Sequence, residues 1–148
     1  ELIIKVSKLG KNIKENFANT YYNEIGLGID FTARDIQDQC KEKGHPWEIA
    51  KAFDQSAVVS ANFIDKQNLD TNNINFSLKK NGSIVQEGNS SNMLFNFDQI
   101  IAHISKFMTI KIGDLIFTGT PAGVGKVNIG DELIGYLENE QAFKTKIK

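Results

Sequence analysis

Fixed positive charge in this 148-residue chain is carried almost wholly by lysine: of 17 basic residues only Arg34 is an arginine. Cysteine is just as scarce. A single Cys40 excludes an intramolecular disulfide framework and a Cys-rich zinc site, and it makes a reducing, cytoplasmic setting the simplest expectation. No apolar run approaches the roughly 20 residues that span a bilayer, so no membrane partner is expected. A net charge of −1 gives no general attraction for nucleic acid. No repeat, low-complexity tract or linker divides the chain, and its length is that of one domain.

The chain opens on Glu1-Leu-Ile-Ile-Lys-Val without Met or a charged region before an apolar core, which is not a signal peptide. It reads as starting within a strand. The expectation is a domain over residues 1–148 that forms the larger part of a longer protein.

Hydrophobic periodicity predicts the elements. Leu2, Ile4 and Val6 alternate as a first strand, and Glu24–Asp30 as a second with Ile25, Leu27 and Ile29 on one face. Gly26 and Gly28 share the other face, where another backbone or a ligand can approach. Thr32 is expected to cap a helix with Asp35 as its box partner, ending near Lys43 before Gly44 and Pro46. Ile36 and Cys40 would be its buried face, with Arg34, Gln37 and Lys41 together on another. Trp47, Ile49 and Phe53 should half-bury the segment that carries Lys51. Ile74, Phe76 and Leu78 lead through Asn81-Gly82, a type I′ turn, into Ile84 and Val85 as a hairpin. Ile100, Ile101, Ile104, Phe107 and Met108 make Phe97–Met108 an amphipathic helix. Leu115–Thr118, Glu132–Leu137 and Phe143–Ile147 complete the strands. Many short strands with two or three helices define an α+β, mostly β class.

Three candidate sites follow. Asp30, Arg34 and Gln37 bring a carboxylate, a planar fork of donors and an amide to a strand end and the helix after it. That set suits a carboxylate-bearing substrate held by a hard cation, while its plain alternative is a turn residue beside an exposed helix charge. Lys51 either snorkels to water or points into a pocket. Gly113–Gly125 is glycine-rich after a strand, but a Walker A loop would need Gly at Thr120 and Ser or Thr at Val127. No helix follows to bind a phosphate. The loop amides and Thr120 remain a possible small-anion cradle, against the alternative of a tight turn. His45 and His103 have no metal-binding spacing, and buried Cys40 has no activating base.

Taken together, Gly28-Ile-Asp-Phe-Thr-Ala-Arg-Asp-Ile-Gln37, Lys43-Gly-His-Pro-Trp-Glu-Ile-Ala-Lys51 and Gly113–Gly125 with its Thr-Gly-Thr-Pro resemble the fumarylacetoacetate hydrolase family, in its acylpyruvate hydrolase-like branch. Ser90-Ser-Asn-Met-Leu-Phe95 is similar to the family's segment between hairpin and helix. The resemblance implies a β-rich mixed fold, a homodimer, and Mg²⁺ or Mn²⁺ bound by a Glu-x-Glu strand and an aspartate. Asp30 matches the aspartate and Glu1 the second glutamate; the first would lie two positions earlier, and the family's catalytic His–Glu lid further upstream. The resemblance places Arg34, Gln37, Lys51 and Thr120 around a small 2-oxo-carboxylate substrate, with Lys51 and Gln37 as catalytic residues. The implied reaction is hydrolytic C–C cleavage of a 3-acylpyruvate-type 1,3-diketo acid through a metal-stabilised enolate. Oxaloacetate decarboxylation and 2-hydroxyhepta-2,4-diene-1,7-dioate isomerisation or hydration share that logic. A non-catalytic metal- or metabolite-binding relative is the alternative of another class.

Overall fold

A computed structural model describes all of residues 1–148. Alternation along the strands sorts side chains into two antiparallel sheets. The first is built on β1 (Leu2–Val6) and β2 (Tyr22–Asp30), with the four-residue helix α1 (Glu15–Ala18) between them. At the far end of β2 follow α2 (Arg34–Lys43), one turn of helix α3 (Glu48–Lys51), then β3 (Ala57–Val59) and β4 (Ile64–Asp65). Both short strands return along β2, β3 against Gly28–Asp30 and β4 against Glu24–Ile25. The second sheet contains the hairpin β5 (Asn75–Lys80) and β6 (Ser83–Asn89), with two later strands added on the β5 side. Between hairpin and return strands lies α4 (Phe97–Phe107); β7 (Leu115–Phe117) joins β1 in the first sheet, and β8 (Glu132–Leu137) and β9 (Glu140–Lys146) close the second.

The expected hairpin is present: Asn81 and Gly82 both have positive φ, 51° and 86°, which is what a type I′ turn demands. Helix α4 starts from Asn96, whose side chain accepts from the Gln99 backbone while the Gln99 side chain accepts from the Asn96 backbone. Its buried face is Phe97, Ile101, Ala102 and Ser105, whereas Phe107 and Met108 are exposed. Leu2, Ile4, Ile25 and Leu27 of the first sheet join Leu137 and Phe143 of the second and Phe97 and Ile101 of α4 in one core. Strands β3 and β4 were not evident from periodicity, since three and two residues are too few to show a pattern.

The opposite face of β1 and β2 is equally tight where the glycines lie. A Cβ on Gly28 would stand 2.3 Å from the Val58 carbonyl oxygen and 2.5 Å from Ile3 Cδ1. The close approach expected at this glycine is therefore that of the chain's own β3 backbone. Gly28→Ala is expected to cost about 2 kcal/mol, as overpacking of a filled site does, and to lower the melting temperature by several degrees. Melting unchanged from the parent chain would contradict this account of the β2–β3 contact.

Candidate functional site

The β1–β2 ladder continues one residue beyond β1. The Glu1 backbone nitrogen donates to the Gly28 carbonyl at 2.8 Å, and the Gly28 N–H donates back to the Glu1 carbonyl at 2.9 Å. Side chains alternate along a strand, so Glu1, Gly28 and Asp30 fall on one face, while Leu2, Leu27 and Ile29 fall on the other. Gly28 sits between the two carboxylates on that face, where the Val58 carbonyl and the Ile3 side chain come close enough to exclude a Cβ. Glu1 Oε2 accepts from the Gly119 N–H at 3.1 Å. Burial, joined by the nearby Asp30 charge, raises the Glu1 carboxyl above the usual carboxylate range, while the Gly119 amide and Lys51 pull it down.

Lys51 reaches this carboxylate pair from α3. Its Nζ donates to Asp30 Oδ2 and to Thr32 Oγ1, each at 2.7 Å. The Ala33 N–H donates to the Ala50 carbonyl at 3.0 Å and ties α3 to the entry of α2. This corrects the expected capping. Thr32 gives its oxygen to the lysine, α2 begins at Arg34 after Ala33, and no side chain caps it. The expected half-burial around Lys51 is corrected too: Trp47 and Ile49 are exposed, and the Lys41 ammonium sits 5.2 Å from the centre of the Trp47 ring.

Arg34 and Gln37 meet as the helical spacing predicts, Arg34 Nη1 donating to Gln37 Oε1 at 2.6 Å. The helix is rotated from the expected placement, however. Gln37 is buried beside Cys40, at 4% exposure each, and Ile36 is only partly covered. The buried amide is satisfied by the guanidinium, and Arg34 forms no ion pair with any acidic side chain. The rest of its fork of donors is open to a ligand.

A cleft of about 860 Å³ lies between the first sheet and the hairpin. Glu1, Asp30, Arg34 and Thr120 all line it, with Phe76 and Gln86 across from them. Gln37 and Lys51 do not: each touches a lining residue and stays outside the lining itself. Thr120 is on the loop after β7, whose Gly119 and Gly123 have φ of 98° and 101°. Gln86 Nε2 donates to Thr120 Oγ1 and to the Pro121 carbonyl, both at 3.0 Å. Sequence reasoning passed over Gln86; its one signal is a polar amide in a strand directly opposite apolar Leu78.

No three acidic, histidine or cysteine side chains gather in one place; at the cleft, Glu1 and Asp30 supply two carboxylates on one face of the sheet. The pair fits a hard divalent cation on two grounds. Such ions take one or two carboxylates and fill their other positions with water or substrate oxygen. Burial, with a smaller contribution from the Asp30 charge, raises Glu1, and a divalent charge beside it would offset both. His103 lies elsewhere, against the Phe107 ring at 5.2 Å between centres.

The fold is a mixed α+β domain, mostly β, with a carboxylate-bearing cleft between its sheets, and comparison identifies its family. The sequence matches the model of the fumarylacetoacetate (FAA) hydrolase C-terminal domain over residues 1–145, so the chain belongs to the fumarylacetoacetate hydrolase family. It is 42% identical over 149 aligned residues to a mitochondrial oxaloacetate tautomerase of Bos taurus, spanning 100% of this chain and 67% of that protein. Against an oxaloacetate tautomerase of Escherichia coli K12 the identity is 38%, over 90% of this chain and 61% of the relative. Among solved structures, fumarylpyruvate hydrolase from Pseudomonas aeruginosa in complex with Mn²⁺ and pyruvate superposes with a TM-score of 0.93 at 30% identity. That match covers 99% of this chain and 63% of the hydrolase. The chain thus spans roughly two thirds of the length of these relatives.

Proposed function

We propose that this chain carries the substrate site of an enzyme acting on a small 2-oxo-dicarboxylate through its enol form, with keto–enol tautomerisation of oxaloacetate as the leading reaction. The observation that carries the proposal is the convergence of Glu1, Asp30, Arg34 and Thr120 on one cleft. Two relatives at 42% and 38% identity bear the name oxaloacetate tautomerase, which favours this reaction over the C–C hydrolysis expected from the sequence motifs. Hydrolysis of an acylpyruvate-type bond stays as the second reading, supported by the likeness to a fumarylpyruvate hydrolase.

Glu1 and Asp30 would hold Mg²⁺ or Mn²⁺, which supplies Lewis-acid charge to a 2-oxo-carboxylate. The open donors of Arg34 take a substrate carboxylate in a fixed orientation, and Gln37 holds the fork still. The Thr120 hydroxyl anchors a carboxylate oxygen at the other end of the cleft. Lys51 supplies charge toward a developing oxyanion while keeping Asp30 and Thr32 in place. Tautomerisation asks these groups only to move one proton between carbon and oxygen. Hydrolysis adds a water to the same enolate chemistry.

The test is a parallel panel on the protein carrying this chain, with Mg²⁺ and Mn²⁺: loss of enol-oxaloacetate absorbance, pyruvate release from oxaloacetate, and cleavage of acylpyruvate and fumarylpyruvate. The expected result is fastest turnover in the enol assay. Faster diketo-acid cleavage would make the second reading correct. Binding of Mn²⁺ and pyruvate with no turnover of any substrate would make it a binding protein.

Two substitutions probe the assigned roles. Arg34→Lys keeps the charge and loses the fork, so kcat/KM should fall by at least tenfold; an unchanged value means Arg34 does not orient substrate. Asp30→Asn should weaken Mn²⁺ binding at least tenfold in a titration followed by water-proton relaxation. Equal affinity would remove Asp30 from the metal site.

A further inference from the structure

We infer that Gln86, on the hairpin, is a positioning residue that turns the Thr120 hydroxyl into a hydrogen-bond donor aimed at a substrate carboxylate. The inference rests on the reading of Thr120 as an anion ligand given above. It follows from which atoms can donate. The Pro121 carbonyl can only accept, so the side of the Gln86 amide that meets it at 3.0 Å must be the NH₂ group. The same nitrogen lies 3.0 Å from Thr120 Oγ1, and its second hydrogen goes there. Thr120 Oγ1 is thereby an acceptor in this contact, and its own proton is left to donate elsewhere. Thr120 makes no other side-chain hydrogen bond, and both Thr120 and Gln86 line the cleft.

Thr118, two residues earlier, shows the contrast. Its hydroxyl donates to the Leu2 carbonyl at 2.9 Å and so is consumed in holding the loop to β1. Of the two threonines, only Thr120 keeps a free proton.

Loop and hairpin are also pressed together at this point. A Cβ on Gly123 would fall 2.4 Å from the Val85 carbonyl oxygen and 3.1 Å from Gln86 Cγ, and Gly123 has φ of 101°. The loop backbone therefore packs directly on the part of β6 that carries Gln86. A hydroxyl on a glycine-rich loop would otherwise be free to rotate, presenting a lone pair as often as a proton. A lone pair facing a carboxylate repels it.

The experiment uses pyruvate as probe, in the presence of Mn²⁺, and compares Gln86→Glu, Gln86→Met, Thr120→Val and the double variant Gln86→Met/Thr120→Val. A glutamate at 86 accepts the Thr120 proton and reverses the hydroxyl's polarity. Gln86→Glu and Thr120→Val should each raise the pyruvate Kd by about 10- to 100-fold, the range for one hydrogen bond to a charged group. The double variant should bind no more weakly than the worse of Gln86→Met and Thr120→Val, because removing the amide and removing the hydroxyl act on the same bond. Gln86→Met, which removes the amide without adding charge and retains a side chain of similar length, should give a smaller increase and serves if the glutamate variant does not fold. With turnover of the preferred substrate, the effect should fall on KM more than on kcat, a split that mere loosening of the loop would not produce.

Normal pyruvate affinity in the folded Gln86 variants, or additive losses in the double variant, would overturn the inference while leaving Thr120 as a ligand. Normal affinity in Thr120→Val would instead overturn the reading of Thr120, and the role of Gln86 with it.

Discussion

Everything at the cleft depends on the pair of hydrogen bonds exchanged between Glu1 and Gly28. They carry the β1–β2 ladder far enough that strand alternation sets the Glu1 side chain on the same face as Asp30, with a glycine between them. One residue of slip would turn Glu1 into the core and Leu2 into the cleft. The register is therefore defended by the core itself, where Leu2, Ile4, Ile25 and Leu27 are all almost fully buried. The chemistry of one face is fixed by the hydrophobicity of the other.

Around that pair the remaining groups are arranged in two layers. Glu1, Asp30, Arg34, Thr120 and Gln86 reach the cleft; Lys51 and Gln37 stand behind Asp30 and Arg34 and hold them by direct hydrogen bonds, as Gln86 holds Thr120 from within the cleft. Asp30 and Lys51 are each about a third exposed, so their pairing is weak as a source of stability and more useful as a way of orienting the carboxylate. Arg34 is oriented by a buried amide rather than by a counter-ion, which keeps its positive charge uncompensated for a ligand.

Much of this was legible in the residues themselves. The strands of β1, β2 and the hairpin follow from alternation, and Asn81-Gly82 dictates its turn. Arg34 and Gln37 are three apart on a helix and do meet. The pieces that could not be read are contacts between groups distant in sequence. Thr32 looks like a cap because a cap is the local use of a threonine before a helix, but Lys51, 19 residues on, takes its oxygen. Gln37 looks solvent-facing because amides usually are, until Arg34 satisfies it in a buried position. Gln86 and Thr120 are 34 residues apart, on a strand and a loop that only the packing of Gly123 against Val85 brings together. The family motifs named Asp30 for the metal and Arg34, Gln37, Lys51 and Thr120 for the substrate; of these, Asp30, Arg34 and Thr120 line the cleft, while Gln37 and Lys51 stand behind it.

The central claim is that Glu1 and Asp30 together form the cation-binding wall of this cleft. Anomalous scattering from a crystal of the protein grown with Mn²⁺ and pyruvate tests it most directly. The account predicts one strong peak within about 2.5 Å of a carboxylate oxygen of both Glu1 and Asp30, with the pyruvate carboxylate on its open side toward Thr120. A peak away from either carboxylate, or pyruvate bound without metal in the cleft, would contradict it.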